Sequence, residues 1–268
     1  MKYKLLLLDI DGTLRPEGCE RIPRENADAV NAVQRLGVKI AIATGRGRTG
    51  VGKGLLRSVR PDYWVCAGGA QLLDGKGNEL ALHRLTNEEM YALVDFFEDY
   101  ELPLRFTFHD ANYAYIGYEE FIARDRAKNL HNHILDGEDQ DHHLVEMPFG
   151  AFGFLPPERA AQFQEKYGYL GLRFLYSYPG SDGCDICQTG VDKGHGLCEL
   201  AGLAGLTPEE CVAMGDGDND VPMLAAAGLG IAMENGSEAA KAAADRTGPD
   251  AAPHGVADLC RSLWPEAF

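Results

Sequence analysis

Leu5-Leu6-Leu7-Leu8 runs directly into Asp9-Ile10-Asp11-Gly12-Thr13. A short, continuous apolar run closed by an acid suits a strand buried on both faces, as in a parallel sheet. A Pro/Gly-bearing loop, Arg15 to Pro23, follows. Ala27, Val30 and Val33 or Gln34 then recur at helical spacing, with Gly37 as the stop. Val38–Ala43 is a second apolar run, closed by Thr44-Gly45-Arg46. Strand, loop, helix, strand and polar turn make a β-α-β unit.

The last eighty residues repeat the pattern. Cys211–Met214 is apolar and ends in Gly215-Asp216-Gly217-Asp218-Asn219-Asp220; Val221–Ala227 reads as a helix and Leu229–Met233 as a strand. Ser237–Ala244 reads as another helix, with Ser237 a suitable N-cap. The middle differs. Pro103–His109 and Tyr113–Tyr118 are aromatic, partly alternating runs joined by Asp110-Ala111-Asn112, which spells a hairpin. Phe149–Leu155 and Leu172–Tyr178 suit further strands, with a helix at Pro157–Tyr167 between them. The expectation is an α/β protein: a Rossmann-like parallel-sheet core formed by 1–83 and 185–268, with an α+β domain inserted at 84–184. The chain's 268 residues and 45% apolar content allow both.

Three polar clusters end three apolar runs: Asp9/Asp11, Thr44 and Asp216/Asn219/Asp220. That edge of an open parallel sheet is where ligands bind. Crowded carboxylates repel unless a cation sits among them. Oxygen ligands without His or Cys favour Mg²⁺ over zinc. A carboxylate can accept a phosphoryl group, and positioning with cations then carries most of the catalysis. Thr44 can offer a hydroxyl, Gly45 a backbone N–H and Lys193 a fixed positive charge.

In these motifs the chain resembles the haloacid-dehalogenase superfamily, in its Cof-like branch of capped sugar-phosphate phosphatases. Asp9-Ile10-Asp11-Gly12-Thr13, Thr44-Gly45-Arg46, Lys193-Gly194 and Gly215-Asp216 through Asn219-Asp220 match its four motifs in order, and Ile231–Asn235 resembles the stretch after the fourth. The resemblance implies an Mg²⁺-dependent phosphomonoesterase. Asp9 would be nucleophile and metal ligand. Asp11 would be acid/base and a metal ligand through its carbonyl. Thr44 and Lys193 would hold the phosphoryl group, and Asp216 would complete the metal contacts. Asn219 would lie near the phosphate, Arg46 would bind substrate or pair with a surface acid, and Asp220 would support Lys193 or the metal's waters. The insert would be a substrate-selecting cap. Gly68-Gly69-Ala70 departs from the branch's usual Asn-Gly-Ala.

The expected partner is a small phosphorylated metabolite; the motifs specify neither which one nor an oligomeric state. A phosphomutase of the phosphomannomutase type is the alternative. Asp11 and the acidic fourth cluster argue against a dehalogenase, and the filled catalytic positions argue against a mere binding protein. The net charge of −16 argues against nucleic-acid binding. The sequence offers no membrane span, and seven scattered cysteines without an export signal suit the cytoplasm. Cys184-x-x-Cys187 would face opposite sides of a strand, which favours a structural role over a redox one. His131-x-His133 and His142-His143, among acids of 131–143, read as a solvated polar segment, and the aromatics from Phe106 to Tyr118 as sheet packing.

Overall fold

All four leucines of the opening run have 0% exposure. That is the burial expected of a strand with neighbours on both edges and layers on both faces. The computed structural model describes residues 2–52, 54–127, 133–176 and 180–268. Among these, the strands in chain order are β1 (Leu5–Leu8), β2 (Lys39–Ala43), β3 (Tyr63–Cys66), β4 (Gln71–Asp74), β5 (Glu79–Leu82), β6 (Leu104–Thr107), β7 (Asn112–Ile116), β8 (Ile134–Asp136), β9 (Gly150–Phe154), β10 (Leu172–Tyr176), β11 (Gly183–Gln188), β12 (Cys211–Gly215), β13 (Leu229–Ala232) and β14 (Arg246–Thr247). The α-helices are α1 (Arg24–Arg35), α2 (Asn87–Asp99), α3 (Tyr118–Ala127), α4 (Pro157–Tyr167), α5 (Lys193–Leu203), α6 (Val221–Ala226), α7 (Glu238–Ala243) and α8 (Gly255–Leu263).

The chain divides into two compact units, the first comprising Met1–Thr44, Lys53–Ala81 and Asp192–Phe268. Its sheet runs β14-β13-β12-β1-β2-β3-β4-β5. Neighbours from β14 through β3 pair in parallel, while β4 returns antiparallel to β3. Successive strands leave β1 in opposite directions, toward β3 on one side and β14 on the other. β1 therefore ends at a topological switch point, the place where such sheets bind ligands. Leu5 and Leu7 pack with Leu197 and Leu200 of α5 and with Met223 and Leu224 of α6. Alternation sends Leu6 and Leu8 to the other face. Among the remaining helices, α1 and α8 are fastened by buried Asn26, which accepts from Ala257 N at 3.0 Å and donates to Leu14 O at 3.2 Å.

The second unit comprises Gly45–Gly52 and Leu82–Val191. Its sheet runs β10-β11-β9-β6-β7-β8, with the expected hairpin present as the antiparallel pair β6–β7. Phe106, Phe108 and Tyr115 are buried in its core beside Phe97 of α2 and Phe163 of α4, so the aromatic runs are packing surface. Cys184 is buried and Cys187 only partly so, on opposite faces of β11. Several boundaries differ from the sequence reading, and the first core segment ends at Ala81 rather than 83. The core resumes at Asp192 rather than 185, because β11 pairs with both β9 and β10 and so belongs to the inserted sheet. Gly45–Gly52 joins the second unit, where a Cβ on Gly47 would come 2.8 Å from Thr107 Cγ2. Tyr118 opens α3 rather than ending a strand, since Gly117 takes a left-handed φ of 73° and turns the chain. Residues 177 and 178 of the expected Leu172–Tyr178 strand lie outside the described residues.

Candidate active site

Asp9 leaves β1 and stays 6% exposed. Its backbone N–H continues the ladder to Met214 O at 3.0 Å. Facing it is Lys193, the first residue of α5, 1% exposed. Lys193 Nζ donates to Asp9 Oδ1 at 2.7 Å and to Asp220 Oδ1 at 2.5 Å. Burial alone would push the ammonium's pKa down; Asp220 and then Asp9 outweigh it and hold it above the ordinary lysine value. Lys193 is thus a permanent cation with both its acidic partners in place.

The helix that delivers Lys193 is set by its cap. Asp192 Oδ1 accepts from His195 N at 2.9 Å. Gly69 sits against the Asp192 carbonyl with φ +109°, and a Cβ there would collide with it. Gly69, the glycine that Gly68-Gly69-Ala70 shares with the usual Asn-Gly-Ala, is thus required by the placement of α5, and the residue that departs is Gly68.

The fourth cluster folds into a tight turn after β12. Asp220 Oδ2 accepts from Asp216 N and Gly217 N, both at 2.9 Å. Both Asp220 oxygens are thereby engaged, one by the turn and one by Lys193. Asp216 Oδ1 accepts from Thr13 Oγ1 at 2.8 Å, which ties this turn to the loop after β1. Gly12, at φ +86°, closes the approach: a Cβ there would strike the Asp216 carboxylate. Asn219 lies in the same turn, partly buried.

Asp9, Asp216 and Asp220 bring one carboxylate oxygen each within 4.8 Å of one another. Three carboxylates against one ammonium leave an excess of negative charge in a buried place. Burial, followed by Asp220 and Asp216, pushes Asp9 well above the usual carboxylate range despite Lys193. Asp216 is pushed up to about 6, chiefly by burial. Carboxylates in that condition either keep protons or exchange them for a cation. An all-oxygen set with capacity left on Asp9 and Asp216 fits a hard divalent ion such as Mg²⁺, which uses one or two carboxylates and otherwise water and substrate.

The other residues singled out in the sequence fall in different places. Thr44, 2% exposed, follows β2; its N–H donates to Val65 O at 2.8 Å and its carbonyl accepts from Gly68 N at 3.0 Å. Gly45 and Arg46 group with the second unit, where Arg46 Nη1 donates to Gly50 O at 3.3 Å. Asp11's side chain is 41% exposed and ion-paired with Arg15. In the second unit, Asp110, His142 and Glu146 also bring ligand-type atoms within 4.8 Å. Arg84 and His109 N already hold the two Glu146 oxygens, and Tyr113 holds an Asp110 oxygen. This is an ion-paired polar cluster. His131 lies outside the described residues.

Three participants were not named as site residues from the sequence. Thr13 and Arg15 stand in or beside the first motif. Asn235 lies more than 200 positions away: its Nδ2 donates to Gly12 O at 2.9 Å and its Oδ1 accepts from Ala251 N at 2.8 Å. It thus pins the loop bearing Asp11 and Thr13 to the segment before α8. Asn235→Ala removes both bonds and is expected to lower stability by about 1–3 kcal/mol. Chemical denaturation of wild type and variant measures this; an unchanged midpoint would show that the latch carries no load.

The family model for haloacid dehalogenase-like hydrolases matches residues 6–259. Over 288 aligned residues the chain is 25% identical to phosphatase YwpJ of Bacillus subtilis, covering 97% of this chain and 99% of that protein. It is 26% identical over 284 residues to the chloroplastic endoribonuclease YBEY of Arabidopsis thaliana, covering 96% of this chain but only 46% of that protein. The chain therefore spans about half of that relative. Among solved structures, the subclass IIB sugar phosphatase BT4131 superposes with a TM-score of 0.84 at 25% identity, over 99% of this chain and 100% of that one. The family match defines an enzyme of the hydrolase class. The chain belongs to the haloacid dehalogenase-like hydrolase family. No helix among the described residues is long and apolar enough to cross a membrane.

Proposed function

We propose that this phosphatase hydrolyses monoesters of small, sugar-like phosphates through a phospho-aspartate on Asp9, with Mg²⁺ as cofactor. The observation that carries the reading is the buried chain Asp220–Lys193–Asp9 with Asp216 in the same cluster. In this reading Lys193 holds one oxygen of Asp9, and the rest of that carboxylate would join Asp216 in holding a divalent ion. The likeness to a sugar phosphatase along the whole chain supports the substrate class.

Asp9 attacks phosphorus, the bond from phosphorus to the ester oxygen breaks, and Asp11 delivers a proton to that oxygen. Water then attacks the phosphorus of phospho-Asp9 and gives its proton to Asp11. Inorganic phosphate leaves and the Asp9 carboxylate is restored. Asp9, Asp216 and the Asp11 carbonyl would hold Mg²⁺, which when bound offsets the charge of the phosphoryl oxygens. Lys193 and Thr44 hold those oxygens while Asp220 keeps Lys193 in place. The contacts expected of Gly45, Arg46 and Asn219, and the selecting role of the inserted unit, belong to the same proposal. The phosphatase-named relative that matches end to end favours hydrolysis over the phosphomutase alternative.

Phosphate release across a panel of hexose, pentose and nucleoside monophosphates tests this. At least one is expected to release phosphate, with activity abolished by EDTA and restored by added Mg²⁺. Isomerisation of a sugar phosphate without release would sink the hydrolytic reading, and EDTA-resistant turnover would sink the metal.

A further inference from the structure

The Asp11 carboxylate is ion-paired with Arg15. Arg15 Nε donates to Asp11 Oδ1 at 2.8 Å, and Arg15 Nη2 is ion-paired with the same oxygen. The third guanidinium nitrogen, Nη1, donates to Cys19 O at 2.8 Å, which anchors the fork to the loop beyond. The backbone reinforces the pairing. Arg15 N donates to Ile10 O at 2.7 Å and Gly12 N to Arg15 O at 2.9 Å, so Asp11 and Arg15 form an isolated β-bridge. The loop from Asp9 to Arg15 thus closes on itself and sets both side chains on one side. Neither is deeply buried: the side chains are 24% and 41% exposed for Arg15 and Asp11. An exposed ion pair adds little to stability, so three coordinated contacts by one arginine call for another explanation.

We propose that Arg15 is a positioning residue for Asp11. The inference rests on the proton-transfer role proposed above for Asp11. Two nitrogens of a planar fork converge on Oδ1 and restrain the carboxylate there, which leaves Oδ2 as the oxygen for proton transfer. In the first step the Oδ2 proton passes to the ester oxygen as the phosphorus–oxygen bond breaks. The bonding electron pair stays on that oxygen, and Asp11 is left as a carboxylate paired with Arg15. A lysine cannot reproduce this grip, because its ammonium is a point charge rather than a fork.

The role has a consequence that a purely structural one lacks. A sugar alkoxide leaves poorly unless protonated, whereas p-nitrophenolate leaves unaided. The quantity to compare is kcat/KM, which covers only the steps up to release of the leaving group, so the later hydrolysis of phospho-Asp9 does not enter. Arg15→Ala is expected to lower kcat/KM for a hexose 6-phosphate by about 100-fold, the low end of what a positioned acid supplies, and for p-nitrophenyl phosphate by only a few-fold. Arg15→Lys is expected to recover little of the hexose phosphate loss. The ratio of the two values does not depend on the active fraction of the preparation, so partial misfolding cannot mimic the result. An equal loss on both substrates, or none on the hexose phosphate, would overturn the assignment. Full recovery by lysine would overturn the fork and leave only the charge. Failure of the phosphatase reading is separable, since the wild-type protein would then release phosphate from neither substrate.

Discussion

Asp9→Asn is expected to abolish phosphate release while leaving a folded protein at least as stable as the wild type. The carboxamide oxygen can still accept from Lys193 Nζ, so the bond now 2.7 Å long has a partner. It cannot form the proposed phospho-aspartate, and losses on the order of 10⁴-fold or more accompany removal of a nucleophile that acts as a unit with its neighbours. The sign of the stability change follows from the environment. Burial, Asp220 and Asp216 hold Asp9's pKa well above the ordinary carboxylate value in the folded state. A group raised in that way is most favourable to folding while protonated, and the cost of ionising it grows as pH rises from its unfolded value toward its folded one. Asparagine carries no such cost. Thermal unfolding across that acidic-to-neutral range should show the variant gaining on the wild type as pH rises, in metal-free buffer. A large drop in melting temperature would mean that the lost activity reports misfolding. Retained activity would exclude the covalent route.

Lys193→Ala is expected to damage both stability and turnover. Lys193 is 1% exposed and is the shared partner of Asp9 and Asp220. Deleting it leaves two buried carboxylates facing each other without their cation. Breaking a buried pair by removing one partner costs about 3–5 kcal/mol. Added Mg²⁺ should recover part of that loss, because it replaces positive charge in the same cluster. Turnover should not recover with it, because the ammonium proposed to hold a phosphoryl oxygen is gone. Denaturation midpoints with and without Mg²⁺, alongside phosphate release, separate these effects. A variant as stable as wild type in metal-free buffer would contradict the charge balance inferred for the cluster.

Much of the core could be read along the chain. A run such as Leu5–Leu8 admits few fates other than a buried strand. The expected helix at Pro157–Tyr167 coincides with α4, where two prolines set the entry. Ser237 caps α7 through Ala240 N at 3.1 Å. The helix α2 escaped the reading although its signal was present: Thr86 and Glu89 form a capping box, with Glu89 Oε2 accepting from Thr86 N at 2.6 Å. The short strands β4 and β5, four residues each, carry too little apolar pattern to announce themselves.

The sequence by itself determined which chemistry is available. The acids after β1 and β12, the threonine after β2 and the lysine opening α5 are local facts, each fixed by a strand end or a helix start. Only the tertiary structure decided which of them meet. Lys193 reaches Asp9 across 184 positions and Thr13 reaches Asp216 across 203. Those pairings exist because parallel strands joined by crossovers bring remote strand ends to one edge. The structure also decided what stands beside the reacting groups. Nothing in the order of residues says that Arg15 turns back onto Asp11 or that Asn235 grips Gly12. The physical reason is the same in both cases. A strand's period tells which way a side chain points from its sheet, but a loop's closure, and therefore its side-chain partners, is set by the packing of everything around it.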